Sequence, residues 1–414
     1  MAIYDVAIVG AGIVGLASAR ELLMRRPGLR LAVIDKEPRV GGHQTGHNSG
    51  VIHSGIYYAP GSLKARLCVA GSRELYAYCE SRGIPTERCG KVIVATEEAE
   101  LRRLRDLHRR GLANGVEGLE LIGPERLREL EPHSAGIAAL WSPNAGIVDY
   151  RQVASHYSLD VRNAGGEVHT GRRLTGLRSL ADRIVLETPA GELEARQVLT
   201  CAGLQADRVA ALSGGAREPR VVGFRGDYWQ LRPEARHLCR NLIYPVPDPA
   251  FPFLGVHATR RIVTGEVWLG PNAVVSFGRE GYRRRDVALR DLAEVLGNPG
   301  FRRLARRYWR TGAQEMWRDF SKRAFCSSVR RYIPEITLSD MVPGPSGVRA
   351  QALDAQGRLI DDFVIDVESG RIMHVRNAPS PAATSSLAIG RLVADATAEA
   401  FGEPARQVAL GGQR

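Results

Sequence analysis

The stretch YDVAIVGAGIVG, residues 4–15, decides the fold of this chain. Its apolar first half is typical of a buried strand, and residues 13–26 have helical character and end before a proline. A second apolar run, RLAVID at residues 30–35, is typical of another buried strand. Strand, helix and strand in this order predict a βαβ unit, and therefore a parallel sheet at the start of the chain.

The glycines of this stretch form a GxGxxG motif with a strand before it and a helix after it. In a dinucleotide site, Gly10 allows the tight turn, Gly12 lets the backbone approach the pyrophosphate, and Gly15 lets helix and strand pack closely. Asp35 ends the second strand, where a carboxylate accepts hydrogen bonds from ribose hydroxyls. The alternative is a tight turn followed by an unrelated surface acid, but strand, spacing and acid together predict a dinucleotide site.

Three further segments favour FAD over NAD. The doublet Gly41-Gly42, followed by Thr45, resembles the extended FAD fingerprint, in which the doublet brings the chain close to the pyrophosphate; loop-forming glycines are the alternative. Residues 198–203, VLTCAG, resemble the second FAD motif of the two-dinucleotide-fold flavoproteins. Residues 377–384 lead into a predicted helix, whose N-terminus can hold the anionic edge of a reduced flavin.

Length and composition narrow the class of protein. The chain has 414 residues, 44% of them apolar and 25% charged, which is typical of a globular protein of about two or three domains. No apolar run approaches the roughly 20 residues of a membrane-spanning helix, and the N-terminus lacks a signal-peptide pattern, so we expect a cytoplasmic protein.

The six cysteines include no CxxC pair. Four lysines among 57 basic residues leave 53 arginines, and the net charge of +12 permits an acidic substrate, an anionic membrane or nucleic acid.

Residues 42–58, GHQTGHNSGVIHSGIYY, resemble the signature of the L-2-hydroxyglutarate dehydrogenases and oxidases, FAD enzymes of the D-amino-acid-oxidase-like superfamily. Later segments are similar to the same family, in order: CAGLQ (201–205), FRGDY (224–228), YPVPDP (244–249), GVH (255–257), GPNA (270–273), GVRAQ (347–351) and HVRNAPSPAAT (374–384). The resemblance therefore runs from about residue 3 to about residue 400.

The resemblance implies an α/β (α+β) fold, in which a Rossmann-like FAD-binding domain carries an inserted antiparallel-sheet substrate domain. We expect residues 1–85, 145–215 and 340–414 in the FAD-binding domain, and residues 86–144 and 216–339 in the substrate domain. Proline and glycine clusters near several of these boundaries agree with the division.

The resemblance also implies an activity, the FAD-dependent oxidation of L-2-hydroxyglutarate to 2-oxoglutarate by hydride transfer to flavin N5. The electrons pass to a quinone or electron-transfer chain, or to oxygen. One alternative is a flavoenzyme of the same fold that acts on an amino acid, sarcosine or glycerol 3-phosphate. Another, prompted by the charge, is a nucleic-acid-binding flavoprotein, but the sequence contains no RNA-binding module and we expect no nucleic-acid partner.

The motifs and the resemblance together assign the FAD site, and no metal is expected. The cofactor-binding residues are Gly10, Gly12, Gly15, Asp35, Lys36, Gly42, Thr45, Asn48, Ser49, Leu174, Ala202, Gly203, Ser380, Ala383 and Thr384. His43 and His47 raise the alternative of a covalent histidyl flavin. A cysteinyl link near the C-terminus is excluded, because no cysteine follows Cys326.

Oxidation of a 2-hydroxy acid needs a base for the hydroxyl proton and cations for the carboxylates, roles that suit histidine and arginine. Among the many histidines and arginines, the resemblance implies as catalytic residues His53, then His257, as base or substrate contact, Arg349 as the clamp of the α-carboxylate, Arg225 as a second cation, and Asn377 as a hydrogen-bonding partner of substrate or flavin. His374 and Arg376 are further candidates. Arg225 as a structural residue, and Asn377 as a turn residue, are the alternatives.

Residues 301–323, FRRLARRYWRTGAQEMWRDFSKR, predict a basic amphipathic helix with eight basic and two acidic residues. Such a helix can lie on an anionic membrane, which suits an enzyme that passes electrons to a membrane quinone at the inner face of the cell membrane. The alternative, which we favour, is that its apolar face packs on the substrate domain while its arginines are solvated.

Overall fold

A computed structural model describes residues 3–248 and 255–400 of the chain. The strands of this part, in chain order, are β1 (Tyr4–Val9), β2 (Leu31–Ile34), β3 (Val51–Ile52), β4 (Thr86–Glu87), β5 (Lys91–Ala95), β6 (Glu120–Ile122), β7 (Ala138–Ser142), β8 (Gly146–Val148), β9 (Glu167–His169), β10 (Gly176–Ser179), β11 (Ile184–Glu187), β12 (Leu193–Thr200), β13 (Arg220–Leu231), β14 (Leu242–Pro245), β15 (His257–Arg260), β16 (Val267–Gly270), β17 (Val274–Val275), β18 (Met341–Leu353), β19 (Val364–Ser369) and β20 (Ile372–Asn377). The helices are α1 (Ile13–Arg25), α2 (Leu63–Ser81), α3 (Glu98–Ala113), α4 (Pro124–Leu130), α5 (Tyr150–Asn163), α6 (Ala206–Ala210), α7 (Leu289–Gly297), α8 (Pro299–Arg307), α9 (Trp309–Phe320), α10 (Lys322–Arg330) and α11 (Ser386–Ala400).

The first sheet is built around β1, as the opening stretch predicts. β1 pairs in parallel with β12 on one side and β2 on the other, and β9 extends the sheet beyond β2. The second half of β12 pairs in parallel with β20, and its first half carries the antiparallel hairpin β10–β11. Leu16, Tyr157 and Val393 from α1, α5 and α11 pack in the same core as Ile8 of β1. Four buried residues in β2 match the continuous apolar run that a strand covered on both faces requires.

The second sheet is mainly antiparallel and is formed largely by the chain between the parts of the first. Its strands follow the order β13, β16, β15, β14, β5, β7, β6, with β18 on the outer edge of β13. The pair β14–β5 is parallel. Phe325 and Val329 of α10 pack against Leu269 of β16 and Val92 of β5 in the core of this sheet. The predicted architecture, a Rossmann-like domain with an inserted antiparallel sheet, is therefore present.

Several predicted boundaries differ from the structure. Strand β18 pairs with β13 along nearly its whole length, so residues 341–353 belong to the second sheet and not to the FAD-binding domain, where a boundary at residue 340 places them. Residues 301–323 are divided among α8, α9 and α10 instead of forming one helix. The two ends of the predicted FAD-binding domain, residues 1–2 and 401–414, lie outside the described residues.

None of the helices within residues 3–248 and 255–400 is both long enough and apolar enough to cross a bilayer.

Candidate active site

A cavity of about 1290 Å³ lies between the two sheets. The loops after β1 and β2 of the first sheet and strands β15 and β18 of the second sheet all contribute to its lining. Ligands of open α/β sheets bind at the carboxyl ends of the parallel strands, which is where this cavity begins. The cavity therefore joins the predicted dinucleotide motif to the predicted catalytic residues.

The three motif glycines have different surroundings. A Cβ on Gly10, whose φ is +110°, would lie 2.4 Å from the carbonyl oxygen of Cys201, and one on Gly15 would lie 2.0 Å from the carbonyl oxygen of Gly10. A Cβ on Gly12 would meet only the Thr45 hydroxyl, at 3.6 Å, and Gly12 lines the cavity. Close contacts with the protein's own backbone require glycine at positions 10 and 15. Glycine at position 12 instead leaves free space beside the N-terminus of α1. This arrangement fits a pyrophosphate group.

Asp35 and Thr45 both hold the loop that follows β1. The Asp35 carboxylate accepts hydrogen bonds from the backbone N–H groups of Ala11, at 2.7 Å, and Glu37, at 2.8 Å. The Thr45 hydroxyl accepts a hydrogen bond from the N–H of Ile13 at 3.0 Å, which satisfies one free donor at the start of α1. Both side chains line the cavity, as expected for the cofactor site.

Lys36 lies in a polar cluster between the two sheets. Its ammonium is 2.9 Å from the Glu280 carboxylate and 2.7 Å from Nε2 of His43, and it also contacts Glu37. Nδ1 of His43 is 2.9 Å from the Tyr282 hydroxyl. These contacts fix Lys36 at the cavity wall, where its ammonium links Glu37 and His43 of the first domain to Glu280 of the inserted domain.

Most of the other residues assigned to FAD line the same cavity, namely Gly42, Asn48, Ser49, Leu174, Ala202, Gly203, Ser380, Ala383 and Thr384. The side chain of Asn48 organises its own loop, with its amide donating to the carbonyl oxygens of Gln44 and Thr45. Gly15 does not line the cavity, in agreement with its packing role.

His257 is held in the tautomer that a base needs. Its Nδ1 lies 2.8 Å from the carbonyl oxygen of Gly255. A carbonyl oxygen only accepts, so Nδ1 carries the proton and Nε2 keeps its lone pair. Burial, together with the charges of Arg349 and Lys91, lowers the pKa of His257 to about 3, although the hydrogen bond to Gly255 acts in the opposite direction. At neutral pH the imidazole is therefore uncharged and able to accept a proton at Nε2.

His53 lies in the same part of the cavity. Its backbone N–H donates to the Thr384 hydroxyl at 3.1 Å, which ties the loop after β3 to the start of α11. Its Nδ1 is buried and has no hydrogen-bond partner among the described residues. Burial, and then the charges of Lys91, His257 and Arg349, lower the pKa of His53 well below its ordinary value. The structure thus brings His53, His257 and Arg349 together.

Arg225 and Asn377 are engaged elsewhere. Arg225 does not line the cavity; its guanidinium contacts Asp227 at 3.1 Å and the buried Asp319 at 3.4 Å. Asn377 lines the cavity, but its amide donates to the carbonyl oxygens of Ile360 and Asp362. The contacts of Arg225 support its structural alternative. Asn377 ends strand β20 and is not a turn residue, but its amide already has two backbone partners.

His374 and Arg376 also make structural contacts. His374 lies outside the cavity lining, 2.6 Å from Glu368 and 2.7 Å from the Thr200 hydroxyl. The Arg376 guanidinium donates to the carbonyl oxygens of Ala216 and Glu218. Both residues join β20 to neighbouring elements of the chain.

Three residues at this end of the cavity were not predicted. The Tyr57 and Tyr244 side chains line it, and the ring of Tyr244 stacks on the ring of His257 with 4.0 Å between centroids. Lys91 lies behind them, with its ammonium 4.2 Å from the centroid of the Tyr244 ring. The sequence holds a signal for Lys91, because it is one of four lysines and it begins an otherwise apolar strand, KVIVA.

Helix α9 has its acids inside and its aromatic residues outside. Asp319 and Glu315 are buried, and accept hydrogen bonds from the Asn272 amide at 2.5 Å and the backbone N–H of Ala273 at 3.1 Å. Its exposed face carries a ridge of Trp309 (62% exposed), Met316 (44%), Trp317 (67%) and Phe320 (66%). The interpretation that the apolar face packs on the substrate domain is wrong for α9, and holds for α8, where Phe301 and Leu304 are buried.

The fold and the cavity define a dinucleotide-binding enzyme in which two histidines and an arginine line the same cavity as the dinucleotide motif. A family described as "DAO: FAD dependent oxidoreductase" matches residues 5–396. L-2-hydroxyglutarate dehydrogenases from Nematostella vectensis (51% identity), Homo sapiens (49%) and Indibacter alkaliphilus (46%) match 96%, 96% and 95% of this chain and 91%, 89% and 98% of their own. The chain belongs to the FAD-dependent oxidoreductase family and, within it, to the family of L-2-hydroxyglutarate dehydrogenases.

Solved structures give the same fold at low sequence identity. L-α-glycerophosphate oxidase from Mycoplasma pneumoniae, with FAD bound, has a TM-score of 0.77 at 20% identity and covers 97% of this chain and 95% of its own. Glycine oxidase from Geobacillus kaustophilus has a TM-score of 0.71 at 19% identity and covers 96% and 95%. The protein is therefore an FAD-dependent oxidoreductase with the fold of these oxidases.

Proposed function

We propose that this protein oxidises L-2-hydroxyglutarate to 2-oxoglutarate with FAD as its cofactor. The observation that carries the proposal is the meeting of His257, His53 and Arg349 in a cavity that Gly12 and Asp35 also line. A base and a fixed cation are the two groups that oxidation of a 2-hydroxy acid requires of the protein. The names of relatives at 46–51% identity supply the particular acid.

Each residue has a defined part in this reaction. When bound, FAD supplies the acceptor of the hydride that leaves C2 of the substrate. Arg349 binds the α-carboxylate, so that the C2 hydroxyl points to His257. Nε2 of His257 takes the hydroxyl proton as the C–O bond becomes a carbonyl, and Nδ1 stays hydrogen-bonded to Gly255. His53 contacts the substrate from the loop after β3. The proton and the two electrons that leave the substrate are thereby accounted for.

Anaerobic titration of the purified yellow protein tests this function. We expect L-2-hydroxyglutarate to bleach the flavin absorbance and the D-enantiomer to leave it unchanged. Dithionite serves as the control that the flavin can be reduced. If dithionite bleaches the flavin and neither enantiomer does, the proposed substrate is wrong, and amino acids, sarcosine and glycerol 3-phosphate become the compounds to test.

We infer further that the ridge on α9 rests on an anionic bilayer surface. Trp309 and Trp317 project with Met316 and Phe320 from a helix whose neighbourhood carries exposed Arg307 and Arg310. Tryptophan favours the interfacial region of a bilayer, and arginine favours anionic headgroups. This contact suits delivery of electrons to an acceptor in the membrane.

Co-sedimentation with vesicles tests the membrane contact. We expect binding to vesicles that contain phosphatidylglycerol, weakening with added salt, and little binding to pure phosphatidylcholine. The double variant Trp317→Ser/Phe320→Ser should lose binding and keep flavin reduction by L-2-hydroxyglutarate. Met24→Ser is the matched control, because Met24 is also exposed but lies on α1. Binding that survives in the double variant would exclude the ridge as the contact.

A further inference from the structure

Lys91 is a buried cation without a counter-ion in the described part of the chain. The side chain, at the start of β5, is 1% exposed. Its ammonium lies 4.2 Å from the centroid of the Tyr244 ring and 5.3 Å from that of Tyr57. Within residues 3–248 and 255–400, no carboxylate forms an ion pair with Lys91. The two rings are thus the groups that face its charge.

Burial of the Lys91 ammonium costs free energy unless an anion binds beside it. A buried ammonium loses its hydration, and cation–π contacts with two tyrosines replace only part of it. Burial accordingly lowers the pKa of Lys91 to about 8. The neighbouring charged or titratable groups are Cys68, Cys89, His53, His257 and Arg349. Burial raises the pKa of both cysteines, so neither thiol supplies a negative charge at neutral pH.

A second group beside Lys91 also lacks a partner. The hydroxyl of Tyr57 is buried, and no hydrogen-bond acceptor or donor reaches it in the described structure. Tyr57 lines the cavity, whereas Lys91 lies one layer behind it. The cavity wall therefore offers an unused hydroxyl donor in front of an uncompensated cation, which is a site for a carboxylate.

We propose that Tyr57 and Lys91 form the subsite for a second carboxylate of the substrate, so that the enzyme selects dicarboxylates over monocarboxylates. The Tyr57 hydroxyl donates a hydrogen bond to the distal carboxylate. Lys91 acts as a positioning residue, because its charge stabilises that carboxylate through the tyrosine layer. This inference rests on the proposed function, in which Arg349 already holds the α-carboxylate and L-2-hydroxyglutarate carries a second one.

Binding of two unreactive acids to the oxidised, FAD-bound protein tests the subsite. Glutarate has both carboxylates and butyrate has one, and each dissociation constant is read from the shift of the flavin spectrum. We expect Lys91→Met to weaken glutarate binding roughly 30-fold, as expected for loss of a charge partner, and to change butyrate binding less than about threefold. Tyr57→Phe should also weaken glutarate more than butyrate.

Lys64→Met is the matched control. Lys64 is buried too, but its ammonium is paired with Asp361 at 2.6 Å, so we expect the glutarate-to-butyrate ratio to stay within about threefold of the wild-type ratio. Equal weakening of glutarate and butyrate binding in Lys91→Met would overturn the subsite. A glutarate-to-butyrate ratio that changes in Lys64→Met but not in Lys91→Met would overturn it too. Bleaching of the wild-type flavin by L-2-hydroxyglutarate decides the proposed function independently of these ratios.

The wild-type protein gives a second test that needs no variant. Between pH 7 and pH 9 Lys91 loses its proton in the free enzyme, because its pKa lies at about 8, while the cysteines and histidines around it stay uncharged. We expect glutarate to bind more weakly as the pH rises above 8, by up to about tenfold per pH unit, and butyrate to lack this additional dependence. Identical pH profiles for the two acids would contradict the subsite.

Discussion

The ring of His257 lies nearly parallel to the ring of Tyr244, with 4.0 Å between centroids and 15° between the planes. The stacking and the hydrogen bond from Nδ1 to Gly255 together fix the position and the tautomer of the imidazole. A base must meet its proton with a defined geometry, and both constraints come from the second sheet. The inserted domain therefore holds the histidine that we propose as the base, and the first domain carries the loops of the dinucleotide motif.

Replacement of His257 tests which histidine is the base. We expect His257→Gln to slow flavin reduction by L-2-hydroxyglutarate about 10²- to 10⁴-fold, because general-base catalysis contributes that much, and to change glutarate binding only slightly. Stopped-flow absorbance measures the rate. His53→Gln is the comparison variant, and we expect it to weaken substrate binding more than it slows reduction. The opposite ranking of the two reduction rates would make His53 the base.

The motif glycines separate cofactor binding from folding. Gly12→Ala adds a methyl group that meets no protein atom closer than 3.6 Å, so we expect a folded protein that retains little FAD. Gly15→Ala brings Cβ to 2.0 Å from the carbonyl oxygen of Gly10 and should disrupt the packing of α1 on β1. The flavin-to-protein ratio and thermal unfolding by circular dichroism measure the two effects. Full FAD content in Gly12→Ala would show that the space beside Gly12 is not needed.

Arg225 provides a test of a structural role. The Arg225–Asp319 pair is buried, and removal of Arg225 leaves the buried Asp319 with the half-exposed Arg284 as its remaining cation. We expect Arg225→Met to lower the free energy of unfolding by about 3 kcal/mol, and to change the rate of flavin reduction less than about threefold in the folded fraction. Urea titration gives the first quantity and stopped-flow the second. A normal stability with a large loss of rate would restore the substrate contact predicted from the sequence.

The buried histidines make the stability depend on pH. The pKa of His257 is about 3 in the folded protein and about 6.5 in an unfolded chain, so below pH 6.5 the unfolded state binds a proton that the folded state does not. Stability is fully present above pH 6.5 and falls as the pH decreases towards 3. From pH 7 to pH 5 we expect His257 to contribute a loss of about 2 kcal/mol.

Urea unfolding of wild type and His257→Gln at the two pH values measures this contribution. The variant should lose about 2 kcal/mol less than wild type between pH 7 and pH 5. Equal losses would mean that His257 is protonated alike in the folded and unfolded states.

Local signals in the sequence account for much of the fold and part of the site. The opening stretch predicts β1, α1 and β2, because strand periodicity, glycine spacing and the terminal Asp35 are all local properties. Residues 262–269, in contrast, are apolar enough to predict one strand, but residues 262–266 lie in the connection between β15 and β16, and β16 begins only at Val267. The hairpin pairing that sets these limits depends on the neighbouring strands, which a local pattern does not contain.

The sequence by itself determined the dinucleotide fold, the FAD motifs and the family, because these depend on residues that are close in the chain and carry their own spacing. Only the tertiary structure decided which polar side chains reach the cavity. It paired Arg225 with Asp319, it gave the Asn377 amide two backbone partners, and it placed Lys91 behind Tyr57 with no carboxylate partner among the described residues. The reason is physical: the protonation and the partner of a side chain depend on burial and on charges brought together from distant segments, and both arise only when the two sheets close on each other.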